Sequence, residues 1–319
     1  MYNKYNSSTV IVLQRLLNRA LRPLFLTAIY RYERGKHMGK YKIGVIDVGG
    51  GTRGIYGAGF FDYCMDQNIT FDHLIGVSAG GANICSFAAG QRGRNLRFYD
   101  GYAFRKEYMS LRNFRKTHNY IDLDYIYSTL SNEDGEDPVD YDALKNNPTT
   151  MEFVATDART GRPVYFSKHD LHRNQYDPLK ASSCVPLINR PYPIGNSLYL
   201  DGGIADPIPL KHAFERGLDQ VIVILTRPRE YLRSTKRDKL AVASLARKYP
   251  AAAQALARRA RLYNHQLEVA KRLEKKNRVL IISPESIGNL KTLSQDHEQL
   301  EKLYDAGYMD AVKIKDFIR

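Results

Sequence analysis

Cysteine is scarce in this sequence, which has three in 319 residues, at Cys64, Cys85 and Cys184. An odd number without any C-x-x-C pair provides neither a disulfide framework nor the ligand set of a structural zinc site. A reducing compartment is therefore the expected environment. We expect a cytoplasmic protein, and peripheral contact with a membrane is the open alternative.

The sequence also lacks an apolar run of the roughly 20 residues that a bilayer span needs. Near the N-terminus a helical leucine pattern is interrupted by Arg15, Arg19 and Arg22. These charges lie inside the apolar stretch, whereas a secretory signal carries its charges before that stretch. Residues 1–37 are therefore predicted to form a basic amphipathic extension, and a start at Met38 would make the extension dispensable.

Acidic residues are fewer than basic ones, 34 against 48, which gives a net charge of +14. Two segments hold the excess, residues 1–37 with a net charge of +6 and residues 227–278 with +12. Such segments attract anionic partners, either lipid headgroups or nucleic acid, although a solvated basic face without a partner explains them equally well. No RNA- or DNA-reading motif is recognisable, so we predict no specific nucleic-acid partner.

Short apolar runs alternate with helix-like stretches along much of the chain. The predicted strands are residues 42–48, 73–77, 151–156, 162–166, 221–225 and 279–282, and helices at 56–65 and 79–90 follow the first two. Continuous apolar runs are typical of parallel strands buried on both faces. The alternation predicts a layered α/β fold with a mostly parallel central sheet.

The same pattern divides the chain into three parts. After the extension at 1–37, residues 38–226 form the predicted layered domain, and residues 227–319 form a basic, mainly helical C-terminal region. Residues 91–147 carry no strong strand signal and are rich in arginine and aromatic residues. We interpret this stretch as a helical insertion over the sheet.

The sharpest local motif is Gly76-Val77-Ser78-Ala79-Gly80, a G-x-S-x-G between a predicted strand and a helix. Small residues on both sides of the serine allow a strained turn that exposes its hydroxyl at the end of the sheet. The following helix N-terminus stabilises negative charge that develops nearby. Ser78 is therefore a candidate nucleophile, and a glycine-rich helix cap is the plainer alternative.

A glycine cluster, Gly49-Gly50-Gly51-Thr52-Arg53-Gly54, follows the first predicted strand. Its backbone N–H groups can converge on an oxyanion or on a phosphate. Gly49, Gly51 and Gly54 also satisfy the G-x-G-x-x-G pattern of dinucleotide sites. Such a site needs an acidic residue at the end of the second strand, where this sequence has Gly76-Val77-Ser78, so nucleotide binding is the weaker interpretation.

A nucleophilic serine needs a base. His212, His265 and His297 follow Ser78 in the chain, but none lies in a recognisable catalytic loop. Asp201 is the better candidate because it ends an apolar run and begins the turn Asp201-Gly202-Gly203. A carboxylate can accept the proton directly if it lies about 3 Å from the serine oxygen, while an ordinary Asp-Gly turn is the alternative.

The ordered motifs GGGTRG, GVSAG and DGG resemble the bacterial patatin-like phospholipase family, which uses a Ser/Asp dyad without a histidine. The resemblance covers about residues 40–225 and includes Ala155-Thr156-Asp157 and Asp206-Pro207-Ile208-Pro209. The tail, with Arg227-Pro228 and Gly307-Tyr308, is similar to the YjjU-type branch of that family.

The resemblance implies a three-layer α/β/α hydrolase with specific residue roles. Ser78 would be the nucleophile, Asp201 the base, and the N–H groups of Gly50 and Gly51 the oxyanion hole. Arg53 is expected to brace the glycine loop through an ion pair, with headgroup contact as the alternative. No metal or organic cofactor is required by this chemistry.

The predicted function is hydrolysis of acyl esters in lipids. Two alternatives remain open from the sequence: an esterase or thioesterase acting on soluble acyl compounds, and a basic nucleic-acid-binding or scaffold protein whose hydrolase site is idle. The expected partners are a lipid or acyl-ester substrate and an anionic membrane surface. Acyl length, headgroup, bond position and oligomeric state are not determined by the sequence.

Overall fold

The computed structural model describes residues 41–318, and its central element is an eight-stranded mixed sheet. The strands are β1 (Ile43–Asp47), β2 (His73–Val77), β3 (Thr150–Asp157), β4 (Pro163–Ser167), β5 (Tyr192–Ile194), β6 (Ser197–Asp201), β7 (Gln220–Ile224) and β8 (Val279–Ile282). Their order is β5-β6-β3-β2-β1-β7-β8, and β4 pairs with β3. The pairs β1–β2, β1–β7, β2–β3 and β7–β8 are parallel, which confirms the predicted sheet.

The helices of the described residues lie between the strands of the sheet or after the last one, and four of them separate β2 from β3. They are α1 (Ile55–Asp66), α2 (Ala79–Ala88), α3 (Arg94–Asp100), α4 (Leu111–Thr117), α5 (Tyr141–Asn146), α6 (Asp177–Ser182), α7 (Leu210–Glu215), α8 (Lys239–Ala246), α9 (Pro250–Glu274), α10 (His297–Asp310) and α11 (Ile314–Phe317). Between residues 41 and 318, every helix is too short or too polar to cross a membrane. The predicted extension at 1–37 lies outside the described residues.

Side chains of the parallel strands are buried on both faces of the sheet, because successive residues of a strand point to opposite sides. Val45 packs into one apolar cluster, which includes residues of α1 and α2, whereas the adjacent Ile46 packs into another, which includes Leu267 of α9. The sheet therefore lies between two helical layers, and the predicted three-layer α/β/α architecture is confirmed.

The C-terminal region and the sheet belong to one compact unit, and this unit begins at Ile43. Strand β8 pairs in parallel with β7, and helix α10 packs on α1. A Cβ on Gly59 would collide with the backbone carbonyl of Tyr304, so the two helix backbones are in direct contact. The Tyr304 hydroxyl also donates to buried Asp62 at 2.7 Å. The boundary at residue 226 stays a prediction.

The register of β3 brings the ends of two distant strands together. Val77, the last residue of β2, is opposite Val154, and Asp201, the last residue of β6, is opposite the next residue, Ala155. Strand β4 pairs with the same stretch of β3 and must occupy its other edge. Strands β2 and β6 therefore pair with the same edge of β3, one after the other. Ser78, which follows Val77, thus lies next to Asp201.

A buried carboxylate, Asp47, fixes the loops that follow β1. Its side chain accepts hydrogen bonds from the Gly49 N–H and the Asn83 amide, both at 2.8 Å. The same amide donates to the Gly54 carbonyl at 2.8 Å. These hydrogen bonds therefore connect the glycine cluster to α2, which contains Asn83. Burial raises the pKa of Asp47 to about 6, although these hydrogen bonds act to lower it.

Replacing Asp47 with Asn should change how the stability of the protein depends on pH. The folded state binds the Asp47 proton more tightly than the unfolded chain does. Protonation of Asp47 therefore stabilises the folded state fully below pH 4, and this stabilisation is lost as the pH rises through 6. Relative to Asp47→Asn, the unfolding free energy of the wild type should fall by roughly 2 kcal/mol between pH 4 and pH 7.

Urea unfolding of both proteins across this pH range tests the expectation. Asp134→Asn is the matched control for replacing a carboxylate with an amide, because Asp134 is exposed on a loop. The quantity compared is the unfolding free energy of the wild type minus that of Asp47→Asn. A difference that is constant with pH, or that rises with pH, would contradict the raised pKa of Asp47.

Candidate active site

Ser78 occupies a strained turn between β2 and α2. Its backbone angles are φ 55° and ψ −129°, a region that residues with a side chain rarely adopt. Its N–H donates to the Ser182 hydroxyl at 2.8 Å. A Cβ on Gly80 would collide with the carbonyl of Asp47, and one on Gly76 would lie 2.5 Å from the Gly81 Cα. The two motif glycines therefore allow the close approach that the turn requires.

The glycine cluster lies directly against this turn. Gly49, Gly50 and Gly51 all have positive φ, at 62°, 132° and 65°, which explains why glycine is needed there. A Cβ on Gly49 would collide with the Val77 carbonyl and lie 2.9 Å from the Ala79 nitrogen. Among the hydrogen bonds of residues 41–318, none uses the N–H of Gly50 or Gly51. Within residues 41–318, both donors are therefore unpaired.

Asp201 lies beside Ser78 and is almost fully buried. Burial raises the pKa of its carboxyl group, while a hydrogen bond from the Ser78 side chain and the charge of Arg259 act in the opposite direction. The Gly203 N–H also donates to the carboxylate at 2.9 Å, which holds it at the start of the turn. A carboxylate that is both buried and basic can accept the proton of a neighbouring hydroxyl.

A cavity of about 240 Å³ contains the glycine loop, Ser78 and Asp201 in its wall. Much of the rest of the wall is apolar or aromatic and comes from residues 91–147, including Phe98, Tyr99, Tyr102, Tyr108, Ile121, Leu123, Ile126, Tyr127 and Leu130. This insertion is helical in the structure, with α3, α4, α5 and a π-helical turn at Tyr125–Leu130. A hydrocarbon chain therefore has an apolar surface next to the serine.

The candidate histidines lie elsewhere. Among residues 41–318, no histidine lines the cavity. His212 stacks on Tyr165 and bonds at 2.8 Å to Glu152, near the start of β3. His297 bonds to Asp100 at 2.8 Å, and His265 is exposed on α9. The structure thus brings Ser78 together with Asp201 and not with a histidine.

The expectation that Arg53 forms an ion pair is wrong within the described part of the chain. Arg53 is 4% exposed and has no carboxylate partner there. It donates instead to the Thr292 hydroxyl, at the weak distance of 3.4 Å. Burial, followed by repulsion from Arg227, lowers its pKa to about 9.

Two threonines that support the glycine loop were not predicted. Thr226 donates to the Gly49 carbonyl at 2.5 Å, and the Thr292 carbonyl accepts from the Thr52 N–H at 2.9 Å. Thr292 lies in the loop before α10, more than 200 residues from the glycines. No local pattern marks such a residue, because its role depends only on where the C-terminal region packs.

The half-buried Ser78, the buried carboxylate of Asp201 and the glycine loop therefore line one cavity. No group of three or more His, Cys, Asp or Glu side chains that could hold a metal occurs among residues 41–318. The arrangement fits nucleophilic attack by the hydroxyl with transfer of its proton to the carboxylate.

Comparison with known proteins gives matches over most of the described chain. The profile of the patatin-like phospholipase family matches residues 48–214, just over half of the chain. A domain of unknown function, DUF6363, matches residues 249–318. The uncharacterized protein YjjU of Escherichia coli (strain K12) is 32% identical over 195 residues, which is 59% of this chain and 52% of YjjU. The chain thus spans about half the length of this curated relative.

Among solved structures, VipD from Legionella pneumophila aligns with 87% of this chain and 67% of its own, at 13% identity and a TM-score of 0.45. The family match rests on sequence instead, and residues 48–214 include the glycine loop, the Ser78 turn and the Asp201 turn. Because that match covers more than half of the sequence and contains all three motifs in order, the chain belongs to the patatin-like phospholipase family.

Proposed function

We propose that this protein is a serine hydrolase that cleaves carboxylic esters of lipids. The observation that carries the proposal is the contact between Ser78, held on a strained turn, and the buried carboxylate of Asp201. The apolar wall of the cavity beside them favours an acyl chain as the substrate group.

The reaction begins when the Ser78 hydroxyl attacks the ester carbonyl carbon and gives its proton to Asp201. The carbonyl oxygen becomes an oxyanion, which the N–H groups of Gly50 and Gly51 stabilise by hydrogen bonds. Collapse of this intermediate expels the alcohol, which takes the proton back from Asp201, and leaves an acyl ester on Ser78. Water then attacks that ester, again with Asp201 as the base, and releases the carboxylic acid.

The pKa of Asp201 explains why a carboxylate suffices. Burial raises this pKa above the ordinary aspartate value, so the carboxylate is a stronger base than an exposed one. Only its deprotonated form can accept the serine proton. Activity should therefore be lost on acidification at a higher pH than an ordinary aspartate would give.

A surface near the cavity is suited to contact with an anionic membrane. Helix α4 exposes Leu111 and Phe114, with 67% and 42% of their surface accessible, between Arg112, Arg115 and Lys116. The helix lies between Met109 and Ile121, which pair with each other, and Ile121 lines the cavity. Exposed apolar side chains among cations are typical of peripheral lipid binding.

The first prediction concerns the nucleophile. A fluorophosphonate probe should label Ser78, because only a serine next to a base and an oxyanion hole reacts readily with it. Mass spectrometry should locate the adduct on the Ser78 peptide, and Ser78→Ala should lose both the adduct and ester hydrolysis. Ser183→Ala, which changes another serine in the cavity wall, should keep the label. An adduct on Ser182 or Ser183 would refute the assignment.

The second prediction concerns the base. Asp201→Asn should lower kcat for a soluble ester by about 10²-fold or more, the usual loss on removal of a general base. His212→Gln, His265→Gln and His297→Gln should each stay within about tenfold of the wild type. The rate of the wild type should fall on acidification with an apparent pKa above that of free aspartate. A folded histidine variant without activity would instead indicate a triad.

The third prediction tests the membrane surface. Changing both Leu111 and Phe114 to Ser should weaken binding to phosphatidylglycerol vesicles by about tenfold or more, since each apolar side chain contributes on the order of 1 kcal/mol or more when buried. Vesicle co-sedimentation measures the affinity, and hydrolysis of p-nitrophenyl butyrate should stay within about twofold. Leu240→Ser, at another highly exposed leucine, should bind like the wild type. Equal binding by all three proteins would exclude this surface.

A further inference from the structure

Helix α2 forms one side of the cavity and leads away from Ser78. Ala79, Ala82 and Cys85 line the cavity, and their regular spacing puts them on one face of the helix. The helix begins at Ala79, directly after the proposed nucleophile. Because each residue of an α-helix advances about 1.5 Å along the axis, positions on α2 measure the distance from the serine.

Polar side chains line the cavity near the far end of this helix. Arg94 and Asn95 are part of the cavity wall, and both contact Ser86, the residue after Cys85. The Ser86 hydroxyl accepts a hydrogen bond from Arg94 at 3.3 Å and donates one to the Asn95 side-chain oxygen at 2.9 Å. Ser86 lies seven residues after Ala79, which is about 10 Å along the helix axis. The Arg94 guanidinium therefore lies at that level.

Arg94 is held there by buried partners. Its guanidinium donates to the Asp137 carbonyl at 2.7 Å and to the Ser131 hydroxyl at 2.9 Å. The Asp137 carboxylate lies 3.9 Å from Arg94 and accepts a hydrogen bond from Arg97 at 2.8 Å. Arg94, Ser131 and Asp137 all line the cavity, whereas Arg97 does not. We name these three cavity-lining residues the Arg94 network.

The two levels of the cavity treat a hydrocarbon chain differently. Ala82 and Cys85 lie between them on α2 and present small apolar side chains, so a methylene that enters this part leaves water for an apolar surface. At the Arg94 network, a methylene would shield buried charges from water without offering a hydrogen bond, which is costly. The free energy gained per carbon atom should therefore end where the network begins.

We propose that the Arg94 network limits the acyl group that Ser78 accepts to about eight to ten carbon atoms. An extended chain of single bonds advances about 1.2 Å per bond, so about eight bonds span the stretch of α2 from Ala79 to Ser86. Arg94 is then a specificity-determining residue. This inference rests on the proposed function and names the substrate class as esters of medium-chain acids.

The experiment measures hydrolysis of p-nitrophenyl esters that differ only in acyl length. Butanoate, octanoate and dodecanoate esters are dispersed in the same excess of Triton X-100, so that each is presented in the same way. The kcat/KM of the wild type should rise from butanoate to octanoate. It should then fall by about tenfold or more from octanoate to dodecanoate, because the longer chain reaches the Arg94 network.

Ala82→Leu places a larger side chain between the two levels and should shorten the accepted chain. It should lower kcat/KM for octanoate by at least about tenfold more than for butanoate, because only the longer chain meets the added side chain. Ala257→Leu is the matched control, since Ala257 is exposed on α9 and does not line the cavity. This control should keep the length profile of the wild type.

Arg94→Leu removes the charge and should lengthen the accepted chain. The ratio of kcat/KM for dodecanoate to that for octanoate should rise by about tenfold, since a buried charge no longer opposes the methylene groups. Arg97→Leu is the matched control, because it removes an arginine from the same carboxylate without changing the cavity wall. If Arg94→Leu does not fold, Ala82→Leu still decides the proposal. Equal rates of the wild type on octanoate and dodecanoate, or equal losses at every length in Ala82→Leu, would overturn it.

Calorimetry with the Ser78→Ala protein separates this inference from the proposed function. The affinity for the free carboxylic acids should rise by about fourfold per methylene from butanoate to octanoate and no longer rise at dodecanoate. Ala82→Leu in the same background should weaken octanoate binding by about tenfold or more. If no ester is hydrolysed in a Ser78-dependent way, the proposed function fails, but these affinities still test the length limit. An affinity that keeps rising from octanoate to dodecanoate would overturn the limit.

Discussion

The close packing of the glycine loop against the Ser78 turn is the constraint on which the rest of the site depends. A side chain on Gly49 would collide with the Val77 carbonyl, and one on Gly80 would collide with the Asp47 carbonyl. The backbones after β1 and β2 can therefore touch only because both positions are glycine. Buried Asp47 then joins the two loops by its hydrogen bonds to Gly49 and Asn83. This contact places the glycine loop beside the serine.

Around this contact, the C-terminal region acts as part of the site. It adds β8 to the sheet, packs α10 on α1, and supplies Thr292, whose carbonyl holds the loop after Gly51. Three arginines that line the cavity, Arg227, Arg233 and Arg259, also come from residues after β7. The basic charge that is concentrated in residues 227–278 thus has a partly buried component next to the glycine loop, in addition to its solvated face.

Much of the fold could be predicted because parallel strands buried on both faces are continuous apolar runs. All six predicted strands are present within one residue at each end, whereas β5 and β6 were missed. These two strands lie at one end of the sheet, have three and five residues and are partly exposed, so neither is a continuous buried apolar run. Arg53 was predicted to brace the glycine loop through an ion pair, but its neighbours in the described residues include no carboxylate at that distance. The sequence contains no local sign of which side chains from residues 226–292 would surround it.

The local sequence by itself determined the Ser78 turn, the glycine loop and the strands before them. These features depend on small residues and apolar runs within a few positions, so their physical causes are local. Only the tertiary structure decided that Asp201 meets Ser78, because the meeting depends on β6 following β2 along the edge of β3 at Ala155. It also decided that arginines almost 200 residues apart share one cavity wall, since their distance depends on how β7 and α9 pack and not on their spacing in the chain.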